Sequence, residues 1–352
     1  MRAILCLCCS FLAMPVLRAG TRHYAPQASK NVGLHFRFQE KVVTLHEPVV
    51  VFFEVHNGLS QPITVTVGAL VRQFFDLSLT TPEGQVLHKD PFGGQIDIVT
   101  AGNGKITIVP GSNYREPLVM NEWFSFASQG TYLLASKLTS EIETADGNFV
   151  AEKETAEVRV NPRDPVRLNR ICADLAKQVE MASNVDAAQF PARALSYVDD
   201  PIAVPYLARV LSAHTLAYEK AIAGLERIGN DEAVEVLLSA LNENYGDIAE
   251  LATRSLGRMQ DQIANPRLKE TVKKSVERSS ARARNEYIKT QIAYLDYRSP
   301  DLQLAAIQNL MRVQDGLQQA EPILQRLVND SKQPASVRAA AQDALKKLHP
   351  NN

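Results

Sequence analysis

The stretch that decides the fold of the C-terminal half is AIAGLERIGNDEAV, residues 221–234. It predicts a helix, a Gly-Asn-Asp turn and the start of a second helix. Its leucine, Leu225, recurs at near-constant spacing, with Leu195 thirty residues earlier and Leu256 thirty-one residues later. A period in this range is typical of stacked helical units, none of which buries its apolar face without a neighbour. We therefore predict an α-helical repeat array.

The residues around these leucines repeat in step. Nine, twelve and sixteen residues after Leu195 and Leu225 come the apolar residues Val204, Leu207, Leu211 and Val234, Leu237, Leu241. A small residue stands four before Leu225, Leu256, Leu310 and Leu345, as Ala221, Ala252, Ala306 and Ala341. These features resemble HEAT-like repeats of the short type found in phycobilin lyases. The resemblance implies an α-solenoid that presents a surface to a protein partner, and it does not imply lyase activity.

Several features depart from a regular array. Pro191 takes the place of the small residue in the first unit, whereas Asp231, Asp261 and Asp315 lie where carboxylates favour helix starts. The spacing from Leu256 to Leu310 is 54 residues, which predicts a long helix over residues 267–297. We expect one apolar side on this helix, formed by Leu268, Val272, Val276, Ala283, Ile288, Ile292 and Leu295.

A basic stripe is predicted on another side of the same helix. It consists of Arg267, Lys274, Arg278, Arg282 and Lys289, at steps of seven, four, four and seven. Residues 267–289 hold eight basic and three acidic residues, a net charge of +5. One interpretation is a solvated face on which Glu270 and Glu277 are local partners. The other is a partner-binding stripe for an acidic protein or an anionic surface.

The N-terminal half has an apolar period of two. Strands are predicted near residues 34–38, 42–45, 49–55, 63–67, 75–80, 96–100, 106–109, 132–138 and 149–160. Turn signals such as Asn57-Gly58 and Asp146-Gly147 separate them. Many short strands without helical stretches predict an antiparallel β-sandwich.

Two stretches in this half resemble the immunoglobulin-like domains of bacterial exported proteins. They are HEPVVVFFEVHN, residues 46–57, and SQGTYLL, residues 128–134. The second is similar to a tyrosine corner, in which Tyr132 buries its ring and satisfies a nearby backbone group with its hydroxyl. Leu134 stands where antibody domains carry their second core cysteine, so the resemblance implies a disulfide-free relative.

These patterns divide the chain into a signal peptide at 1–20, an immunoglobulin-like β-sandwich at 30–160, a linker at 161–165 and a HEAT-like helical repeat domain at 166–349. The linker is indicated by Pro162 and Pro165, since a proline disfavours helix in the residue before it and cannot donate to a strand ladder. Residues 21–160 carry a net charge of −4 and residues 161–352 a net charge of +1. Neither balance favours nucleic acid as a partner.

The first twenty residues predict export. Arg2 precedes the apolar run of residues 3–17, and Ala19-Gly20 offers small residues for cleavage, although Leu17 is large for its position. The run is too short to span a bilayer, which needs roughly 20 residues. We expect a periplasmic or extracellular protein with no transmembrane segment in its mature chain. Cys6, Cys8 and Cys9 fall in the signal, which leaves Cys172 alone and allows no intramolecular disulfide.

No catalytic signature is found, since HExxH, GxSxG and a mature CxxC are all absent. His35, His46, His56 and His88 lack a short metal-ligand spacing, and Glu47 and Glu54 point to opposite faces if one regular strand holds both. Trp123, Phe124 and Phe126 are expected to pack in a core. We predict a secreted scaffold or protein-binding module, not an enzyme, with no cofactor and no metal site. The alternative is an enzyme or enzyme inhibitor whose site lies in loops of the β-sandwich.

Overall fold

A computed structural model describes residues 31–67, 74–89, 104–213, 217–242 and 246–349. The chain divides into two compact units. The first is β-rich and comprises the described residues up to Leu45 together with Val49–Pro162. The second is helical and comprises His46–Pro48 and the described residues from Arg163 onward. The predicted signal peptide and the predicted strand at 96–100 lie outside the described residues.

The β-rich unit contains twelve described strands in three sheets. The strands are β1 (Val32–Phe38), β2 (Val42–Thr44), β3 (Val50–Asn57), β4 (Ile63–Thr66), β5 (Phe75–Thr80), β6 (Val86–His88), β7 (Lys105–Ile108), β8 (Asn113–Val119), β9 (Gly130–Leu138), β10 (Glu141–Thr144), β11 (Gly147–Val150) and β12 (Glu154–Asn161). Their orders are β1-β3-β8, β11-β10-β4-β7 and β2-β12-β9-β5-β6. All described neighbours pair antiparallel except β2 and β12, which pair in parallel.

All three sheets contribute to one apolar core. Phe36 and Phe53 come from one sheet, Val65 from the second, and Leu77 and Leu134 from the third, and all are buried. Strands with alternating apolar residues place one set of side chains here, because successive side chains point to opposite faces. The prediction of a strand over 75–80 is confirmed at its bounds, and those near 34–38, 63–67 and 132–138 are confirmed within two residues.

Three strands were not predicted from the sequence, and two others were predicted as a single strand. β6, β8 and β10 carry few alternating apolar residues, and β8 contains a proline. The single strand predicted over 149–160 is wrong, because the chain leaves the sheet at residues 151–153, between β11 and β12. Local periodicity does not detect strands whose partners supply most of the buried surface.

Tyr132 takes the structural role that the sequence predicts. Its side chain is buried, and its hydroxyl donates to the Ser128 carbonyl oxygen and accepts from the Ser128 N–H, each at 3.0 Å. Phe126 packs against its ring with the centroids 5.0 Å apart. Trp123 also packs against the core, as predicted. These contacts fix the start of β9.

The helical unit has ten described α-helices. They are α1 (Pro165–Glu180), α2 (Val185–Ser196), α3 (Val204–Ser212), α4 (Tyr218–Ile228), α5 (Asp231–Ala240), α6 (Gly246–Met259), α7 (Pro266–Leu295), α8 (Pro300–Leu310), α9 (Gln314–Asn329) and α10 (Ala335–Leu348). The small residues predicted to let helices approach are buried, as expected. No described helix combines the length and apolar character needed to cross a bilayer.

Residues 221–234 form the predicted helix-turn-helix. Gly229 ends α4 with φ of +64°, a left-handed conformation that favours glycine. The Asn230 side chain then accepts from the Ala233 N–H at 2.9 Å and caps α5. Leu225 is fully buried, as are Val234 and Leu237 of the second helix. The turn chemistry thus sets the angle at which two apolar faces meet.

The predicted helix starts hold in two of three cases. Asp231 is the first residue of α5 and Asp315 lies in the first turn of α9. Asp261 does not start a helix, because α7 begins five residues later at Pro266 with Asn265 as its cap. The Asn265 side-chain oxygen accepts from the Arg267 and Leu268 N–H groups and satisfies donors that a carboxylate at 261 does not reach.

Candidate partner-binding surface

The helix α7 is thirty residues long, or about 45 Å at 1.5 Å per residue. Its two ends are held by different packing partners. Val272 is buried near the N-terminal end, where α7 contacts α6, and Ile288 and Leu295 are buried near the C-terminal end in a core shared with α8, α9 and α10. The long helix that the leucine spacing predicts is therefore confirmed.

The middle of α7 is exposed on every side. All eight residues from 280 to 287, SARARNEY, are exposed. The prediction that Ala283 lies on a buried apolar side is wrong. A helical segment that is exposed all round bridges two packed regions through solvent, so its formation depends on good helix formers such as alanine and arginine.

The single apolar side predicted for this helix is also wrong. At 100° per residue, the directions of Val272 and Ile288 differ by about 160°. The two ends of the helix thus bury nearly opposite faces. The buried face therefore rotates around the axis from one end of α7 to the other. One continuous face of the helix lies outside the packing at both ends.

The five predicted stripe residues lie along that uncovered face. Arg267, Lys274, Arg278, Arg282 and Lys289 are all exposed. Their directions fall within an arc of about 80°, and they span about 33 Å along the axis. The structure therefore places them side by side, and we call this set the basic stripe.

Ion pairing within the basic stripe is partial. Lys274 Nζ lies 3.3 Å from Glu270 Oε1, and Lys289 Nζ lies 3.0 Å from Glu286 Oε1. Arg278 and Arg282, like Arg267, have no carboxylate within 4.0 Å in the part of the chain that the structure describes. The local partner predicted at Glu277 is not used by any described cation. Three guanidinium groups thus remain free to bind carboxylates or phosphates, which match their planar fork.

The repeats beside this helix are joined by a ladder of polar contacts. Arg258 of α6 donates to both carboxylate oxygens of Glu226 in α4, at 2.6 Å each, and Ser255 donates at 2.7 Å. Burial by itself raises the pKa of Glu226, but these hydrogen bonds offset it, and the net pKa is lowered. One unit earlier, Arg227 donates to the Ser196 carbonyl oxygen. Equivalent positions therefore link successive helix pairs.

The residues considered for catalysis are engaged elsewhere. Arg167 holds the buried Glu47 through two 2.7 Å hydrogen bonds, and Arg115 approaches Glu54 to 3.1 Å. Glu47 precedes β3 and Glu54 lies within it, so no single strand holds both carboxylates. Burial raises the pKa of the Cys172 thiol to about 12, which keeps it protonated and a poor nucleophile at neutral pH.

Among the described residues, no three His, Cys, Asp or Glu side chains are grouped so as to hold a metal ion. His56 Nδ1 instead lies 2.7 Å from the Asn113 amide oxygen. His35 Nδ1 lies 3.0 Å from Glu154 Oε1, in a cleft of the β-rich unit that the sequence analysis did not identify. The two residues are 119 positions apart, so no local pattern announces their contact.

One comparison with known proteins bears on the helical unit. The PBS lyase HEAT-like repeat family matches residues 217–243, which contain α4 and α5. This match confirms a HEAT-like repeat in the C-terminal half. The chain matches no curated protein.

Similarities to solved structures are weak. The sporulation control protein Spo0M of Bacillus subtilis is 12% identical, over 41% of this chain and 55% of its own, with a TM-score of 0.23. The chain thus spans about half the length of that protein. Human deoxyhypusine hydroxylase is 12% identical, over 52% and 86%, with a TM-score of 0.25. A designed armadillo repeat protein is 14% identical, over 52% and 91%, with a TM-score of 0.19.

Proposed function

We propose that this protein is an exported, non-catalytic scaffold that binds an acidic protein partner along the basic stripe of α7. The observation that carries the proposal is the uncovered face of this helix, where Arg267, Arg278 and Arg282 are exposed and unpaired among the described residues. Exposed unpaired cations in a row favour association with an anionic surface.

The HEAT-like repeat supports the scaffold part of the proposal. In a solenoid of stacked helix pairs, each unit contacts only its neighbours and the array presents an extended surface. The contacts of Arg258 with Glu226 and of Arg227 with Ser196 join neighbouring units in this manner. We infer that the helical unit is such an array, with α7 as an elongated member.

For the N-terminal half we propose an immunoglobulin-like β-sandwich. β1 pairs antiparallel with β3 in one sheet, and β2, the next strand along the chain, pairs in parallel with β12 in another. The chain therefore changes sheets between β1 and β2. The hydroxyl of Tyr132 bonds to the backbone four residues upstream, as in a tyrosine corner. Circular dichroism of two separately produced fragments, residues 21–161 and 164–352, tests the division. A strand-type and a helical spectrum are expected, and an unfolded product from either would contradict it.

Export is proposed on the sequence of the first twenty residues. A basic start and an apolar run ending at Leu17 are typical of secretory signals. N-terminal sequencing of protein recovered from the envelope or medium should give a chain that starts near Thr21. Recovery of intact Met1 from the cytoplasm alone would overturn this part of the proposal.

The test of binding uses charge reversal with a matched control on the same helix. The stripe variant is Lys274→Glu with Arg278→Glu and Arg282→Glu. The control variant is Lys269→Glu with Lys273→Glu and Arg284→Glu, whose positions point at least about 120° away from the middle of the stripe. Both variants change the net charge equally, so an effect of overall charge appears in both.

Labelled polyglutamate serves as the acidic probe in an anisotropy titration. At about 0.1 M salt, the stripe variant should bind at least about tenfold more weakly than wild type, and the control variant less than about threefold more weakly. Raising the salt to about 1 M should abolish the difference, because the Debye length falls from about 10 to 3 Å. Equal weakening in both variants, or none in the stripe variant, would contradict the proposal.

A further inference from the structure

A cleft of about 920 Å³ lies between β1 and β12 in the β-rich unit. This volume is within the range of ligand-binding clefts. Its walls are the edges of two strands rather than two packed sheet faces, and they include Phe36, Phe38, Thr155 and Glu157. The cleft is therefore lined by main-chain groups as well as side chains.

The edge of β12 is only partly covered by another strand. β2 pairs with Arg159, Val160 and Asn161, and the Arg159 N–H donates to the Lys41 carbonyl oxygen at 2.9 Å. Since main-chain groups alternate in direction along a strand, those of Thr155 and Glu157 point toward the same side as Arg159. No described strand pairs with them there. A free edge of this kind is a template for an added strand.

The facing edge of β1 is open in the same way. The Gln39 N–H donates to the Val50 carbonyl oxygen at 2.9 Å, so the main chain of Phe38, one residue earlier, points away from β3. The Phe36 N–H points into the cleft, where it donates to Glu154 Oε2 at 3.0 Å. The other oxygen of this carboxylate lies 3.0 Å from His35 Nδ1. The Glu154 carboxylate thus accepts the hydrogen bond that a carbonyl oxygen of a neighbouring strand would otherwise accept.

Two cations of the cleft, Lys41 and Arg159, lie together at one end of it. Lys41 and Arg159 are adjacent and exposed, and neither side chain has an ion-pair partner among the described residues. Arg37 also lines the cleft, and its Nε lies 3.7 Å from Glu54. The lining carboxylates are Glu157 and Glu154, and Glu154 is already engaged by the Phe36 N–H. Cations therefore exceed available carboxylates at the end near Lys41.

We propose that this cleft binds an extended acidic segment of a partner protein, which adds a strand to the free edge of β12. Main-chain hydrogen bonds to Thr155 and Glu157 supply the strand pairing, and Lys41 and Arg159 select carboxylates at one end of the segment. This surface lies in the β-rich unit and is separate from the basic stripe. The protein then has two sites for acidic partners, one that binds charge along a helix and one that binds an extended main chain.

The experiment uses the full chain with the stripe residues reversed (K274E, R278E and R282E), so that α7 does not compete for acidic probes. The probe is a labelled peptide of alternating valine and glutamate, about eight residues long, which favours an extended conformation. Saturable binding is expected, with slowed amide hydrogen exchange at Thr155 and Glu157. A peptide of alternating valine and lysine should bind at least about tenfold more weakly. Each exposed charge pair contributes modestly, but the lysine peptide reverses several of them at once.

N-methylated peptides test whether the main chain is bound. One is methylated on its valine nitrogens and the other on its glutamate nitrogens, so each lacks the donors of one strand edge. At least one of them should bind about tenfold or more weakly than the parent peptide. Equal binding by all three would overturn strand addition, and absence of any binding by the parent peptide would overturn the site.

Two variants locate the site. Lys41→Glu with Arg159→Glu should weaken binding of the parent peptide about tenfold. Arg170→Glu with Lys177→Glu, which reverses two exposed cations on α1, should change it less than about twofold. Both pairs are exposed, so the fold should be retained, and circular dichroism checks this. Equal weakening by the two double variants would overturn the assignment to this cleft. That outcome does not depend on whether the basic stripe binds a partner.

Discussion

Leu225→Ala tests the packing that defines the repeat. The side chain is fully buried between α4 and its neighbours. The substitution removes three carbon groups, which lose about 2.4 kcal/mol of transfer free energy at about 0.8 kcal/mol each. An unrelaxed cavity adds about 24 cal/mol per Å³, so the total loss of unfolding free energy should be about 2.5–5 kcal/mol.

Chemical denaturation of the full chain, followed by far-ultraviolet circular dichroism, measures this loss. The helical signal is the appropriate probe, because the single tryptophan, Trp123, lies in the β-rich unit. Leu302→Ala is the control, since Leu302 is an exposed leucine of α8, and its truncation should cost less than about 1 kcal/mol. A loss below about 1 kcal/mol for Leu225→Ala, or equal losses for both variants, would refute the packing.

Three further predictions concern backbone, acid and thiol chemistry. Gly229→Ala should destabilise the helical unit by about 1 kcal/mol, because Gly229 has a left-handed φ. Gly257→Ala, at an open position within α6, should stabilise it by up to about 1 kcal/mol. A higher thermal unfolding temperature for the Gly229 variant than for the Gly257 variant would contradict the turn geometry. The pKa of Glu226 is lowered in the folded chain, so this carboxylate stabilises the fold fully above its ordinary pKa of 4.5 and loses that effect as the pH falls below it. Glu226→Gln should therefore flatten the dependence of unfolding free energy on pH in this acidic range. An unchanged slope would contradict the contacts of Glu226 with Arg258 and Ser255. Cys172, with its raised pKa and buried thiol, should resist alkylation in the folded protein and react after unfolding, as peptide mapping would show; rapid labelling of native protein contradicts its burial.

The elements most accessible from sequence are those whose burial depends on their own periodicity. Every second residue of β5 is apolar and buried in the core, as Phe75, Leu77 and Leu79, and the strand has the bounds that were predicted. The helix-turn-helix around Leu225 is specified by a leucine, a glycine at the turn and an asparagine cap, all within a few residues. Local steric and hydrogen-bonding rules are sufficient in such cases.

The elements that sequence reasoning missed depend on distant partners. The apolar residues of α7 look continuous along the chain, yet Val272 and Ile288 pack in different regions, and a one-dimensional pattern does not show that the buried face turns by about 160°. The basic stripe could be predicted, because its spacing is local to one helix. The cleft could not, because Phe36 and Glu154 are 118 residues apart and meet only through sheet topology.

Photo-crosslinking from the exposed middle of α7 tests the central claim most directly. A photoreactive residue replaces either Ala281, which points about 60° from the middle of the basic stripe, or Ala283, which points about 140° away. Both alanines are exposed and both lie in the segment that is free of packing, so the two variants should fold alike. In cells that make the protein, Ala281 should yield an adduct with an acidic protein and Ala283 should not. Equal adducts from both positions, or an adduct from Ala283 alone, would contradict binding along the stripe.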